Sequence, residues 1–371
     1  MKKNIFFLFS VFGLSFSLFA QVFLTPPLLA PVVDDGPFIV SRAAVLIDAH
    51  TGALLYSKNP DEEIPPASMT KLMTMHLVMK EINEGRASYD EFVPITVDSW
   101  AQSQPPRSSL MFLEPGQTVT LREIMLGLAV SSGNDAAVAA ALRLAPTVPD
   151  FAGMMTAEAR RMGMSVTRFV EPSGISAGNM TTAAEFALFS RQYIQQHPQS
   201  LRDFHSVQTF AYPLAANVAE RNRLRPNTIV QNSQNSLLRT FPGVDGLKTG
   251  FINQSGYNIA ITAERDQTRF ILVIMGAPNI PRTGSRIRAA DSASLLAWAF
   301  ENFKTVRPEI TEIENAPLWK GVENAVELKL AESPDFTAPI NRAYSLKFDT
   351  VIPETLIAPL PEGFTAGYLS I

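Results

Sequence analysis

Strand-forming sequence stands at both ends of this chain's main body, with a long helical stretch between, so any sheet it builds must join segments far apart in sequence. Ala43 to Asp48 and Ala53 to Tyr56 flank Thr51-Gly52 and read as a hairpin, and strand signals return late, at Gly256 to Ala263 and Phe270 to Met275. Between them, helical periodicity runs through Leu121 to Val130, Asp135 to Leu144 and Asp150 to Met162. A further helix is entered through Thr182-Ala183-Ala184-Glu185, a capping-box pattern, and a last one runs from about Ala289 to Phe303. That order predicts an α+β layout: one sheet completed by N- and C-terminal segments and flanked by a helical region.

The 371 residues suffice for one large domain and a smaller one, and the 46% apolar content supports a substantial core. After Arg307-Pro308 the character changes to short alternating runs, Ala325 to Leu330 and Tyr344 to Phe348, separated by proline-containing turns. The expected organisation is therefore a main domain over 39–306 and a small β-rich module over 307–371. Ahead of them, Met1-Lys2-Lys3-Asn4, the apolar run Ile5 to Phe19 and Ala20-Gln21 read as a secretory signal over 1–20. An uncleaved anchor is the rival, disfavoured by Pro26, Pro27 and the shortness of the run. Residues 21–38, with four prolines, read as a tether. Export is the expectation, to the periplasm or the outer face of the cytoplasmic membrane.

A net charge of −4 offers no basic field for a polyphosphate backbone, so nucleic acid is not an expected partner, whereas a small anionic substrate needs only one or two local cations. There is no cysteine, which removes thiol nucleophiles and thiolate metal sites. His50, His76, His197 and His205 are too scattered to suggest a ligand cluster, so neither a metal nor another cofactor is expected.

Ser68-Met69-Thr70-Lys71 places a hydroxyl and an amine three residues apart at what reads as a helix start. Positions i and i+3 share a helix face, so Lys71 can reach the Ser68 oxygen and take its proton, provided burial keeps the amine partly neutral. Taken alone, the pattern is more often a serine N-cap followed by a surface lysine. Ile64-Pro65-Pro66-Ala67 forces an extended approach, however, and the apolar set Leu72, Met73, Met75, Leu77, Val78, Met79 marks a largely buried helix. Two further tripeptides matter. Ser132-Gly133-Asn134 lies between two predicted helices, where a serine and an asparagine on a turn can serve a cleft or simply join the helices. Lys248-Thr249-Gly250 precedes the strong strand pair, on or beside a sheet edge, where lysine and threonine can bind a carboxylate and glycine admits close approach.

In the order S-x-x-K, S-x-N, K-T-G these motifs resemble the penicillin-recognising serine acyl-transferases. Arg42 to Asp48, Gly52 to Tyr56, Pro66 to Thr74, Ser132 to Ala136, Val244 to Gly250 and Ser285-Arg286-Ile287-Arg288 look like the low-molecular-mass D-alanyl-D-alanine carboxypeptidases. The resemblance implies a β-lactamase/transpeptidase-like domain followed by a small β-rich C-terminal domain. It also implies hydrolysis of a peptidoglycan stem peptide ending in D-Ala-D-Ala through an acyl-enzyme on Ser68, and acylation by β-lactams. By that resemblance Lys71 takes the Ser68 proton, and Ser132, bridging Lys71 and Lys248, passes it to the leaving amine. Asn134 holds the peptide amide, while Thr249 and Arg288, with Lys248 adding positive potential, meet the terminal carboxylate. The oxyanion hole is expected at the N–H groups of Ser68 and Phe251. Phe251 departs from the polar residue many family members carry there.

Glu171-Pro172 raises a class A-like β-lactamase as an alternative, with Glu171 activating the deacylating water, but Phe169 to Gly174 looks like the carboxypeptidase family's F-x-x-x-x-G segment. A non-catalytic cell-wall binding protein is the other alternative. Related chains usually continue past a segment like Gly367 to Ile371 towards an amphipathic anchor, so peripheral association with the cytoplasmic membrane stays an open expectation.

Overall fold

The computed structural model describes residues 36–219, 224–307 and, beyond them, 316–321, 324–326, 335–340, 349–351, 354–361, 364 and 368–370. The expected signal, most of the tether and the Tyr344 to Phe348 run lie outside the described residues, as does the end of the run from Ala325.

Strands β1 (Ala43–Asp48) and β2 (Leu54–Lys58) form the first hairpin. The helical region follows: α1 (Lys71–Asn83), α2 (Leu121–Leu126), α3 (Asn134–Leu144), α4 (Val148–Arg161) and α5 (Ala183–Gln196). A small hairpin of β3 (Thr209–Tyr212) and β4 (Ile229–Asn232) and a single turn α6 (Leu237–Thr240) lead into β5 (Val244–Ile252), β6 (Gly256–Arg265) and β7 (Thr268–Ala277). Helix α7 (Gly284–Asn302) closes the main body. The principal sheet has five strands in the order β2-β1-β7-β6-β5, and every pairing in it is antiparallel. The expected union of distant segments is seen in the pairing of Val45 with Val273. Asp266 and Gln267 take φ +46° and +61° at the β6–β7 tip, the paired positive values that a tight hairpin turn with native twist demands.

Both faces of this sheet are covered, which explains why β7 reads as a continuous apolar run rather than an alternating one. Ile271, Val273 and Met275 join the core shared with α1, α3, α4 and α5, whereas Phe270, Leu272 and Ile274 pack with Leu295, Leu296 and Ala299 of α7. Along α1 every residue from Lys71 to Met79 is buried, so the helix carrying the S-x-x-K lysine runs through the centre of the helical core.

Three local expectations are corrected. The helix expected to Val130 stops as α-helix at Leu126 and continues as a wider π-turn, Gly127–Ser131; a Cβ on Gly127 would lie 2.4 Å from the Met111 sulfur, so the turn forms where the two chains touch. At Thr182 only half the capping box forms: Thr182 Oγ1 accepts from the Glu185 N–H at 3.1 Å, but the Glu185 carboxylate turns to the N–H groups of Val166 and Thr167, both at 2.8 Å. The complete box sits instead at Thr120 and Glu123. The last helix starts earlier than expected and ends at Asn302, after which Phe303 begins a strand.

That strand, β8 (Phe303–Val306), pairs with β11 (Phe336–Pro339). The remaining short strands are β9 (Ala316–Trp319), β10 (Ala325–Val326), β12 (Asp349–Val351), β13 (Leu356–Ile357) and β14 (Tyr368–Ser370), so the C-terminal part is β-rich. The buried Asp48 carboxylate accepts from Thr305 Oγ1 at 2.9 Å and Thr337 Oγ1 at 2.8 Å, tying β1 to this part.

Candidate active site

Ser68 lies on a 3₁₀ turn, Ala67–Thr70, that feeds α1, rather than on the first turn of the α-helix itself. Ala67 takes φ +52°, a left-handed conformation that a β-carbon disfavours. Two glycines let neighbouring chains close on this turn. A Cβ on Gly174, itself at φ +83°, would lie 1.8 Å from the Ala67 carbonyl oxygen, and one on Gly250 would lie 2.6 Å from that of Pro66 and 3.0 Å from the Ser68 nitrogen. Gly250 brings the edge strand β5 against the backbone of Ser68. Gly174→Ala is expected to destabilise the fold by about 3 kcal/mol or more, since both the backbone angle and the contact forbid a methyl. A thermal melt indistinguishable from wild type would contradict this packing.

Lys71 is fully buried, and its Nζ lies 3.1 Å from Ser68 Oγ, 2.8 Å from Asn134 Oδ1 and 2.6 Å from the Ser173 carbonyl oxygen. Burial lowers its pKa to about 7, against the opposing pull of Glu171 and Asp135. A neutral amine beside the hydroxyl is therefore well populated near neutral pH. Lys248 is buried as well, and its Nζ donates to Ser132 Oγ at 2.9 Å and to the Thr249 carbonyl at 3.2 Å. Burial holds its pKa well below the usual lysine range, with Lys71 and Arg288 adding repulsion.

Ser132, at φ +57° between the π-turn and α3, meets only one of the two lysines expected of it: among the described residues no hydrogen bond joins it to Lys71. Asn134 stands on the Lys71 side, and its Nδ2 donates to Ser108 Oγ at 3.2 Å. The proton path expected through a bridging serine is thus divided in this structure, with Lys71 linked to Ser68 and Asn134, and Lys248 linked to Ser132.

Thr249 is buried on β5, and Phe251 is exposed, its ring stacked at 4.3 Å between centroids on Tyr257 directly across the β5–β6 ladder. Arg288 projects from α7 and is buried, with long contacts of 3.4 Å to the Asn258 and Gln234 carbonyl oxygens and, among the described residues, no partner for Nε. Burial lowers its pKa to about 10. Arg288 stays charged at neutral pH, and its hydrogen-bond partners are neutral oxygens, which suits it to an anionic ligand.

Sequence reasoning missed the role of one group that holds this arrangement, Asp135, and weighed the other, Glu171, without its partners. The Asp135 carboxylate accepts from the N–H groups of Met111, Phe112 and Leu113 at 2.8 to 3.0 Å, fixing the segment that carries Ser108 and packs on Gly133. Glu171 turns inward on its own loop, accepting from Ser173 N and Gly174 N, both at 2.7 Å, Ser173 Oγ at 2.6 Å and Asn179 Nδ2 at 2.9 Å. Its effect is to present the Ser173 carbonyl to Lys71. The signal that pointed here was the F-x-x-x-x-G segment, whose glycine is the one the Ser68 turn needs.

A family profile described as Peptidase S11, D-alanyl-D-alanine carboxypeptidase, matches residues 32–279. The chain belongs to that family. D-alanyl-D-alanine carboxypeptidase DacC of Escherichia coli K12 is 31% identical over 359 residues, spanning 95% of this chain and 84% of that one. Penicillin binding protein 5 from Haemophilus influenzae has a similar structure, with a TM-score of 0.77 and 30% identity over 90% of this chain and 92% of that one. Penicillin-Binding Protein D2 from Listeria monocytogenes, solved in its ampicillin-bound form, has a TM-score of 0.59 and 28% identity over 71% of this chain and 98% of that one. The carboxypeptidase fold and the serine hydrolase class expected from the motifs are both borne out.

Proposed function

We propose that this serine-type D-alanyl-D-alanine carboxypeptidase forms its acyl-enzyme on Ser68, with Lys71 as the base. The observation that carries the assignment is the 3.1 Å contact between Ser68 Oγ and an amine whose burial brings its pKa to about 7. Neutral Lys71 accepts the Ser68 proton as the oxygen attacks the carbonyl between two terminal D-alanines of a stem peptide. Negative charge developing on that carbonyl oxygen meets the N–H groups of Ser68 and Phe251, next to the Gly250 contact. The leaving amine takes its proton from Ser132, which Lys248 holds at 2.9 Å. Because Ser132 is not bonded to Lys71 in the free protein, the reading requires substrate to close the gap between the two halves of the proton path. Water then cleaves the ester.

The substrate's terminal carboxylate belongs at Thr249 and Arg288, where, among the described residues, a buried guanidinium has only long contacts to carbonyl oxygens. Arg288→Ala is expected to raise KM for a D-Ala-D-Ala peptide by roughly 10- to 100-fold, with a smaller effect on kcat, because the carboxylate is gripped in ground and transition states alike. Thr249→Val should act in the same direction. Equal KM values for wild type and Arg288→Ala would remove the arginine from the binding site.

The same carboxylate and strained amide make β-lactams competitors that acylate Ser68. The deciding assay is D-alanine release from a pentapeptide, with and without penicillin. Rapid penicillin turnover without D-alanine release would favour a β-lactamase instead, a reading the inward-facing Glu171 speaks against. With stem peptides outside the cytoplasmic membrane, the proposal includes export of the chain through its first 20 residues.

A further inference from the structure

Phe251 is the one member of the candidate site whose side chain is exposed, at 40%. Its ring does not float free, because it lies on Tyr257 at a tilt of 31°. Tyr257 is boxed in turn by the start of α7, where a Cβ on Gly284 would come within 2.5 Å of its ring. Arg288 follows Gly284 by about one helical turn. Phe251 also follows Thr249 by two residues on the same strand, so the two side chains share a face, about 7 Å apart along it. The ring pair therefore lies next to Thr249 along β5, with the Phe251 ring partly exposed.

We propose that Phe251, braced by Tyr257, is the specificity-determining residue for the terminal amino acid, receiving the methyl of the leaving D-alanine on its ring. This rests on the carboxypeptidase reading of the site. The methyl and the carboxylate hang from one carbon, so a carboxylate held at Thr249 and Arg288 places the methyl within a few ångströms of both. A flat apolar surface there favours a methyl over hydrogen and disfavours a polar substituent, whose hydration it strips without offering a partner. One methyl in an apolar subsite is worth about 10- to 200-fold in kcat/KM. A polar residue in place of Phe251 lacks that surface, so the departure from the family pattern has a function of its own.

The test compares kcat/KM for otherwise identical acyl peptides ending in D-Ala-D-Ala and D-Ala-Gly, in wild type, Phe251→Ala and Phe251→Leu. Wild type is expected to prefer the D-alanine terminus by about 10-fold or more. In Phe251→Ala the preference should fall to within about 3-fold, through loss on the D-alanine peptide, while Phe251→Leu keeps most of it. An active wild type whose preference is unchanged in Phe251→Ala, even if both rates drop, overturns the assignment of the ring alone. A wild type that releases no D-alanine overturns the carboxypeptidase reading, and this inference with it.

Discussion

Ser68→Ala is expected to lower D-alanine release by on the order of 10⁵-fold or more and to abolish covalent penicillin labelling, with the melting temperature close to that of wild type. The size follows from chemistry: without the hydroxyl no ester can form, and what remains is binding and oxyanion stabilisation. The unchanged stability follows from packing. Ser68 is half-buried on its turn, and the close contacts that hold the turn are made by the Pro66 and Ala67 carbonyls and the Ser68 nitrogen, all of which alanine keeps. Intact-protein mass spectrometry after exposure to penicillin is the direct measurement. An adduct on Ser68→Ala would move the nucleophile elsewhere.

For Lys71→Met, acylation should slow by roughly 10²- to 10⁴-fold, the scale of a lost general base. The pH dependence gives a sharper test. Only the neutral amine accepts a proton, so with a pKa of about 7 the wild-type acylation rate should climb about tenfold per unit below pH 7 and level off above it. Lys71→Met should lose that inflection along with the rate. Persistence of the inflection in the variant would assign the titrating group to another residue, with Lys248, whose pKa is also lowered, as the first to examine by Lys248→Met. Stopped-flow acylation with a chromogenic cephalosporin across pH 5.5 to 9 supplies both comparisons.

The α+β architecture was legible because its signals are local. Strands β1, β6 and β7 announce themselves by apolar runs, and the first hairpin by Thr51-Gly52 between its strands. The S-x-x-K pair was legible for a similar reason, since three residues along a helical turn are neighbours whatever the rest of the chain does, and the 3₁₀ geometry at Ser68 does not alter that. Less visible was anything depending on where distant segments meet. Glu171 looked ambiguous as a letter in a motif, and its role is set by five donors within its own loop, Ser173 N and Oγ, Gly174 N, Ser176 N and Asn179 Nδ2. His76 and His197, 121 residues apart and apparently unrelated, lie 3.0 Å from each other, with His76 also bonded to Glu158 at 2.9 Å. That trio is a satisfied polar link among α1, α4 and the end of α5.

By itself, then, the sequence determined which residues could do acyl transfer and in what order they occur, because nucleophile, base and carboxylate grip each depend on residue type and short spacing. Only the tertiary structure decided how they are wired. Burial in the shared core lowers the pKa of Lys71, a property of surrounding atoms that no four-residue pattern contains. The packing of α1, the start of α3 with the turn before it, and strand β5 sends Asn134 to Lys71 and Ser132 to Lys248, where one bridging serine was expected. Backbone-to-backbone approach at Gly174 and Gly250 seats the serine turn against its neighbours, and that approach exists only once segments more than a hundred residues apart have come together.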